Sequence, residues 1–264
     1  MSIPSARTLA VAALGMLFGL AAVTALHAHA EQTAHGGVVA AFRGSFSPKR
    51  IPRHELVPIS LTLEGGARGV GGLPPRLRRI ELAFGARGGL ETEGLPVCAR
   101  SQLRNATRRE ALGRCRSAIV GHGEITAEVP FSRSEPVEAR AAVLVFNGRW
   151  QGRPAAWVHA YSVSPPASFV LPFHLRRLRA GAYGVLMSSP VGRSLGRWPR
   201  LRSFQITLGR RYRARGESHS YLSAHCPLAP RFDSLSVPFA RATYEFAPRP
   251  KIVQPIRRFC TVEE

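Results

Sequence analysis

The chain has 264 residues, 45% of them hydrophobic, and carries 37 Lys and Arg against 16 Asp and Glu, a net charge of +21. Lys49 and Lys251 are the only lysines and Asp233 the only aspartate, so EF-hand loops, aspartic dyads and most calcium or magnesium sites are excluded or poorly supplied with ligands. A charge of this sign favours polyanions such as nucleic acid, anionic glycans, teichoic acids or acidic lipid headgroups; the alternative source is a GC-rich genome, which enriches Arg, Ala, Gly and Pro at the expense of Lys.

The N-terminus reads as an export signal. Arg7 is the only charged residue before Glu31, Thr8 to Leu26 is uncharged and mostly apolar, and Ala28-His29-Ala30 has the small-x-small form of a signal-peptidase site. Residues 1–30 are therefore expected to be a signal peptide cleaved after Ala30. An uncleaved anchor is the alternative, since the run is about long enough to span a bilayer, although Ala, Gly and Thr dilute it. No second apolar span follows, so no membrane span is expected after signal removal. Residues 31–37 are expected as a short flexible segment and 38–264 as a single β-rich domain.

Past residue 36 the apolar residues mostly alternate. Ile80, Leu82 and Phe84 fall on one face, as do Phe204, Ile206 and Leu208, and in "AAWVHAYSV" Trp157, His159 and Tyr161 lie opposite Val158 and Ala160. Period two is the signature of half-buried antiparallel strands. Eleven or twelve strands are expected, near 40–90, 118–129, 137–188, 203–225 and 236–260. The fold class is mostly β, an antiparallel sandwich or irregular barrel with one short disulfide-bracketed helix. The Gly65–Pro75 stretch "GGARGVGGLPP" lacks P-loop spacing and reads as a flexible hairpin loop. Glu91 and Glu93 would share a strand face about 6.6 Å apart, and read as solvated turn carboxylates rather than a glycosidase pair.

Between Cys98 and Cys115 lies an arginine-rich stretch. No C-x-x-C pair occurs, and no histidine sits near Cys98, which disfavours a zinc site; no metal and no cofactor is expected. With Cys226 and Cys260 the cysteines number four, and export permits oxidation. Three connectivities exist, of which proximity favours Cys98–Cys115 and Cys226–Cys260. Inside the first loop Thr107-Arg108-Arg109-Glu110 fits a capping box, opening a short helix over Glu110-Ala111-Leu112 that ends at Gly113. Asn105-Ala106-Thr107 matches the glycosylation sequon. Farther on, Asn147-Gly148 between "AAVLVF" and "PAAWVHAY" signals a hairpin, with a loop longer than a tight turn.

Two stretches carry candidate chemistry. Gly192-Arg193-Ser194-Leu195-Gly196 matches the G-x-S-x-G nucleophile pattern, with Glu217 and then His219 or His225 following in hydrolase order. The sequence after Ser194 shows Pro199 and then a strand, without the helix that such an elbow needs. In "LGRRYRARGES", Arg211, Arg213 and Arg215 alternate with Tyr212 and Ala214. On a strand the three guanidiniums would share one face and, with Arg210, could grip phosphate or carboxylate groups bidentately. A solvated strand face is the alternative. No nucleic-acid-binding motif accompanies them, so no specific nucleic acid is expected.

Five stretches, "GLPVC…ATRREALGRC", "LVFNGRWQGRP", "HAYSVSPPASFVLPF", "GAYGVLM" and "LGRRYRARGESHSYLSAHCP", together resemble a group of exported, β-rich proteins of high-GC actinobacteria and relatives. The resemblance covers most of the chain after residue 30. It implies an exported β-rich protein and brings no functional residue with it. The expected function is binding of anionic cell-envelope material, such as a glycan or teichoic acid, without catalysis, by a secreted or envelope-associated protein. The alternative is an envelope serine hydrolase using Ser194 with His219 or His225.

Overall fold

The computed structural model describes residues 31–131, 134–192, 199–248 and 250–263. In chain order the strands are β1 (Gln32–His35), β2 (Val38–Ser47), β3 (Arg50–Ile51), β4 (Val57–Pro58), β5 (Ser60–Gly69), β6 (Arg76–Gly85) and β7 (Gly88–Leu90). Two short helices follow, α1 (Arg100–Leu103) and α2 (Arg108–Cys115), then β8 (Ile119–Phe131), β9 (Ser134–Trp150), β10 (Arg153–Val163), β11 (Pro166–Arg177) and β12 (Tyr183–Ser189). The last six are β13 (Arg200–Leu208), β14 (Arg211–Ala214), β15 (Glu217–Ser220), β16 (Leu222–Ala224), β17 (Ser234–Ala247) and β18 (Lys251–Val262).

Thirteen strands form one sheet in the order β1-β2-β5-β13-β8-β9-β10-β11-β12-β6-β17-β18-β3. Every pair in it is antiparallel except β18 with β3. The sheet curls until its two ends meet. Across the seam, side chains of β17 and β18 reach the backbone of β2 in place of a ladder: Gln254 Nε2 donates to the Ala40 carbonyl at 3.0 Å, Arg258 Nε to the Gly44 carbonyl at 2.6 Å, and the Tyr244 hydroxyl to the Ala41 carbonyl at 3.0 Å. Donors and acceptors of the first two bonds are each four residues apart, so the strands keep step. Glu31 completes the seam, its carbonyl accepting from Gln254 at 2.9 Å and its carboxylate pairing with Arg43 at 3.2 Å and with Arg258. The 31–37 stretch, expected to be flexible, thus carries β1, which pairs with β2 along Gln32–His35.

The concave face encloses a core that includes Phe42, Leu63, Leu82, Leu171, Phe204 and Tyr244. Sandwich-like opposition of the two halves explains the glycines of β2 and β5. A Cβ at Gly44 would lie 2.7 Å from the Phe239 ring, and one at Gly65 would lie 2.6 Å from the Tyr244 hydroxyl. Gly65 and Gly66 therefore sit within β5, and the predicted loop is shorter than "GGARGVGGLPP" suggests.

A second core lies on the outer face of β9, β10 and β11, where Leu144, Phe146, Trp157 and Val170 pack against Leu103, Ala106, Ala111 and the Cys98–Cys115 pair. Both faces of these strands are covered, hence the near-continuous apolar runs "AAVLVF" and "AAWVHA". The capping box forms as the sequence predicts: the Thr107 hydroxyl accepts from the Glu110 backbone N–H at 3.3 Å, and Glu110 Oε2 accepts from the Thr107 backbone N–H at 2.8 Å. Those Thr107 donors hold the Glu110 carboxyl below its usual range. Helix α2 runs past Gly113 to Cys115, and α1 adds a helical turn before it. The cysteines pair as proximity suggests, Cys98 with Cys115 and Cys226 with Cys260, at Cα–Cα distances of 5.5 and 5.8 Å.

Asn147-Gly148 is not a turn. Strand β9 continues through it, and a tight reversal falls at Gln151-Gly152, whose φ values are 51° and 77°. Packing decides the site. Asn147 is buried and donates from Nδ2 to the carbonyls of Leu95 and Pro96 at 3.2 and 3.1 Å, and a Cβ at Gly148 would lie 2.1 Å from Trp157 Nε1. The pair seats the disulfide-bracketed lobe.

Candidate functional site

The four arginines of the predicted anion strand do not share one strand face. Arg211 and Arg213 are exposed on one face of β14 opposite buried Tyr212, as alternation requires. Arg215 has left the strand: with Gly216 it forms the turn into β15, at φ values of 53° and 86°, and it pairs with Glu93 at 3.8 Å. Arg210 is a structural clamp, donating from Nη1 to the carbonyls of Ile119 and Arg116 at 2.7 and 3.4 Å. Two guanidiniums remain side by side where four were expected.

Ser194 lies outside the described residues. His219, on β15, stacks on Tyr212 with ring centroids 5.4 Å apart, and its Nδ1 lies 3.1 Å from Glu91 Oε1. His225 directly follows β16, the central strand of the small sheet that it forms with β4 and β7. Glu91 and Glu93 follow the end of β7 and serve His219 and Arg215 separately, so they do not form a strand-face pair.

A stronger concentration of charge sits on β6. Its opening reads Arg76-Leu77-Arg78-Arg79-Ile80. Pairing with β17 skips a residue here, Arg79 opposing Glu245 and Leu77 opposing Phe246. Arg78 is the extra residue of a β-bulge, a feature that bends a strand and re-aims a side chain. As a result Arg78 and Arg79 both face outward between buried Leu77 and Ile80. They line a cleft of about 530 Å³ with Arg76, His174 of β11, Leu201 of β13 and Glu245 of β17.

The charges in the cleft are unevenly matched. Arg79 is shared between Glu245 at 3.6 Å and Glu81 at 3.8 Å, and Glu245 also meets Lys251 at 3.7 Å. Among the described residues the side chains of Arg76 and Arg78 make no hydrogen bond or ion pair. Burial lowers the Arg200 pKa, and the like charge of Arg76 adds to it. Burial likewise holds His174 below its ordinary value, with the Arg79 cation adding to the effect, so that ring is inclined to remain neutral beside the arginines. The Arg76 and Arg78 guanidiniums, side by side in a concave site, suit phosphate, sulfate or carboxylate oxygens, which guanidiniums bind through paired, charge-assisted N–H···O bonds.

This cleft leaves only a faint trace in the sequence. Ile80, Leu82 and Phe84 were legible as a strand face, but the double arginine ahead of Ile80 breaks period two, and that break is the bulge's trace in the sequence. Among the described residues no helix is long and apolar enough to cross a membrane. No family model, no curated protein and no solved structure matches the chain.

Proposed function

We propose that this is an exported protein that binds anionic cell-envelope material, a glycan, teichoic acid or similar polymer, without catalysis, and that the Arg76–Arg78 cleft is its principal binding surface. The observation that carries this reading is the pair of unpartnered guanidiniums in a 530 Å³ cleft on a chain whose net charge is +21. Two cysteine pairs at bonding distance support an oxidising compartment, where disulfides persist. The exposed Arg211 and Arg213 would add long-range attraction without forming a pocket.

Charge reversal separates the two patches. Affinity for heparin or lipoteichoic acid should fall at least tenfold in Arg76→Glu/Arg78→Glu. The log–log salt slope should shrink by roughly one for each guanidinium that no longer pairs with a phosphate or sulfate group. In Arg211→Glu/Arg213→Glu the fall in affinity should be smaller. Undiminished binding by the first variant, with its thermal transition intact, would refute the assignment.

A further inference from the structure

The end of the barrel below the β4–β16–β7 sheet holds a small cavity, about 80 Å³, with walls that include Phe46, Leu61, Phe84 and Phe239. Two polar side chains enter this apolar lining, Arg87 and His225. They are held next to each other by the backbone, His225 N–H donating to the Arg87 carbonyl at 3.3 Å. Arg87 Nη1 and His225 Nδ1 are both buried, and neither has a hydrogen-bond partner. Burying a guanidinium nitrogen without a counter-charge is costly, and buried polar atoms in folded proteins are overwhelmingly paired. Here two orphans on neighbouring segments open into one cavity.

We infer that this cavity binds a small amphipathic carboxylate, its oxygens on Arg87 Nη1 and His225 Nδ1 and its apolar body against the phenylalanines. A carboxylate matches the guanidinium fork. A cavity of 80 Å³ equals the share of liquid volume of about three waters, which admits a few carbons; a longer chain would extend out of the mouth. The remaining lining supplies no group for a polar tail. This site is separate from the Arg76–Arg78 cleft and does not depend on that cleft's assignment.

Hexanoate, hexanol and hexylamine probe the site by calorimetry and thermal shift on the folded chain. Hexanoate should bind and raise the melting temperature, and the alcohol and the amine should not. Arg87→Met should weaken hexanoate binding at least tenfold. Because that change removes a buried orphan, the ligand-free variant should melt no lower than the wild type, which separates loss of the site from loss of the fold. Heparin affinity should be unchanged. His225→Phe should weaken hexanoate binding to a lesser degree. Equal stabilisation by hexanol, full retention of hexanoate binding in Arg87→Met, or no hexanoate binding at millimolar concentration would overturn the proposal.

Discussion

The Trp157 indole Nε1 donates to the Cys98 carbonyl at 3.0 Å with both groups buried, joining the middle of the β sheet to the first residue of the disulfide loop. Around it, Cys98 N–H donates to the Asn147 carbonyl at 2.9 Å and His159 Nε2 meets the Ala106 carbonyl at the same distance. The lobe is therefore held to the sheet mainly through backbone carbonyls and amides, with the Arg100 guanidinium lying over the Trp150 ring at 5.4 Å. This arrangement makes the lobe a structural cover over β9 and β10; Arg114 is tied to Gln102 and Glu110 within it, and Arg104, Arg108 and Arg109 face solvent.

Trp157→Phe keeps the ring packing and removes the donor. It should cost about 1–3 kcal/mol, because the Cys98 carbonyl is left buried and unpaired. Gly148→Ala should destabilise by a similar amount, about 1–3 kcal/mol, by forcing the indole from its place. Gly113→Ala should do the opposite: a Cβ there meets nothing within 4 Å, and Ala in a helix interior gains roughly 0.5–1 kcal/mol over Gly. Urea midpoints of the three variants check the set.

Stability should decline on mild acidification because of His159. The ring is fully buried, its Nδ1 has no partner, and burial holds its pKa below the ordinary value against the Ala106 hydrogen bond, which raises it. Above about pH 6.5 neither the folded nor the unfolded chain protonates this ring, and its contribution is intact. Below that, the unfolded chain takes up a proton that the folded one resists. Stability then falls by up to about 1.4 kcal/mol per pH unit until the folded pKa is reached. Midpoints measured from pH 7.5 to 5 should converge for wild type and His159→Gln as the pH drops, since the variant lacks this term.

Removing the covalent ties should be felt in order of loop length. With separations of 17 and 34 residues, Cys98→Ala/Cys115→Ala should cost about 3 kcal/mol and Cys226→Ala/Cys260→Ala about 4 kcal/mol in the chain-entropy model. Non-reducing mass spectrometry of the wild type should show four fewer protons than the fully reduced chain, and four free thiols on native protein would contradict both pairings.

The seam offers a test of how the sheet closes. Gln254→Leu removes two donated bonds at a buried position, leaving the Ala40 and Glu31 carbonyls short of a partner. It should cost about 1–3 kcal/mol, and hydrogen exchange should accelerate first in β1 and β2. Acceleration spread evenly over all strands would show that closure is not local to these bonds.

What could be read from the chain was what short-range chemistry decides. Thr107 and Glu110 are three residues apart and satisfy each other, so the helix start was legible. The cysteine pairing followed from proximity, and Phe204 and Leu208 are buried where alternation put them. Long-range packing decided the rest. Asn147-Gly148 carries turn chemistry, yet the demand of Trp157 for space above Gly148 and the two carbonyls of Leu95 and Pro96 keep it inside a strand. Arg215 would have joined the Arg211–Arg213 face, but Gly216 beside it favours a two-residue reversal. The Arg76–Arg78 cleft depends on a bulge set by β17, which lies far along the chain, and on β11 and β13, which no local pattern places beside it.

A titration of the native protein with a defined heparin oligosaccharide, followed through the arginine side-chain Nε–Hε NMR signals, distinguishes the Arg76–Arg78 cleft from the β14 arginines as the site of anion binding. The Arg76 and Arg78 signals should shift at the lowest concentrations and saturate together, while Arg210 and Arg215, held by backbone carbonyls and by Glu93, move little. Saturable shifts confined to Arg211 and Arg213, with Arg76 and Arg78 unmoved, would contradict the assignment to the cleft.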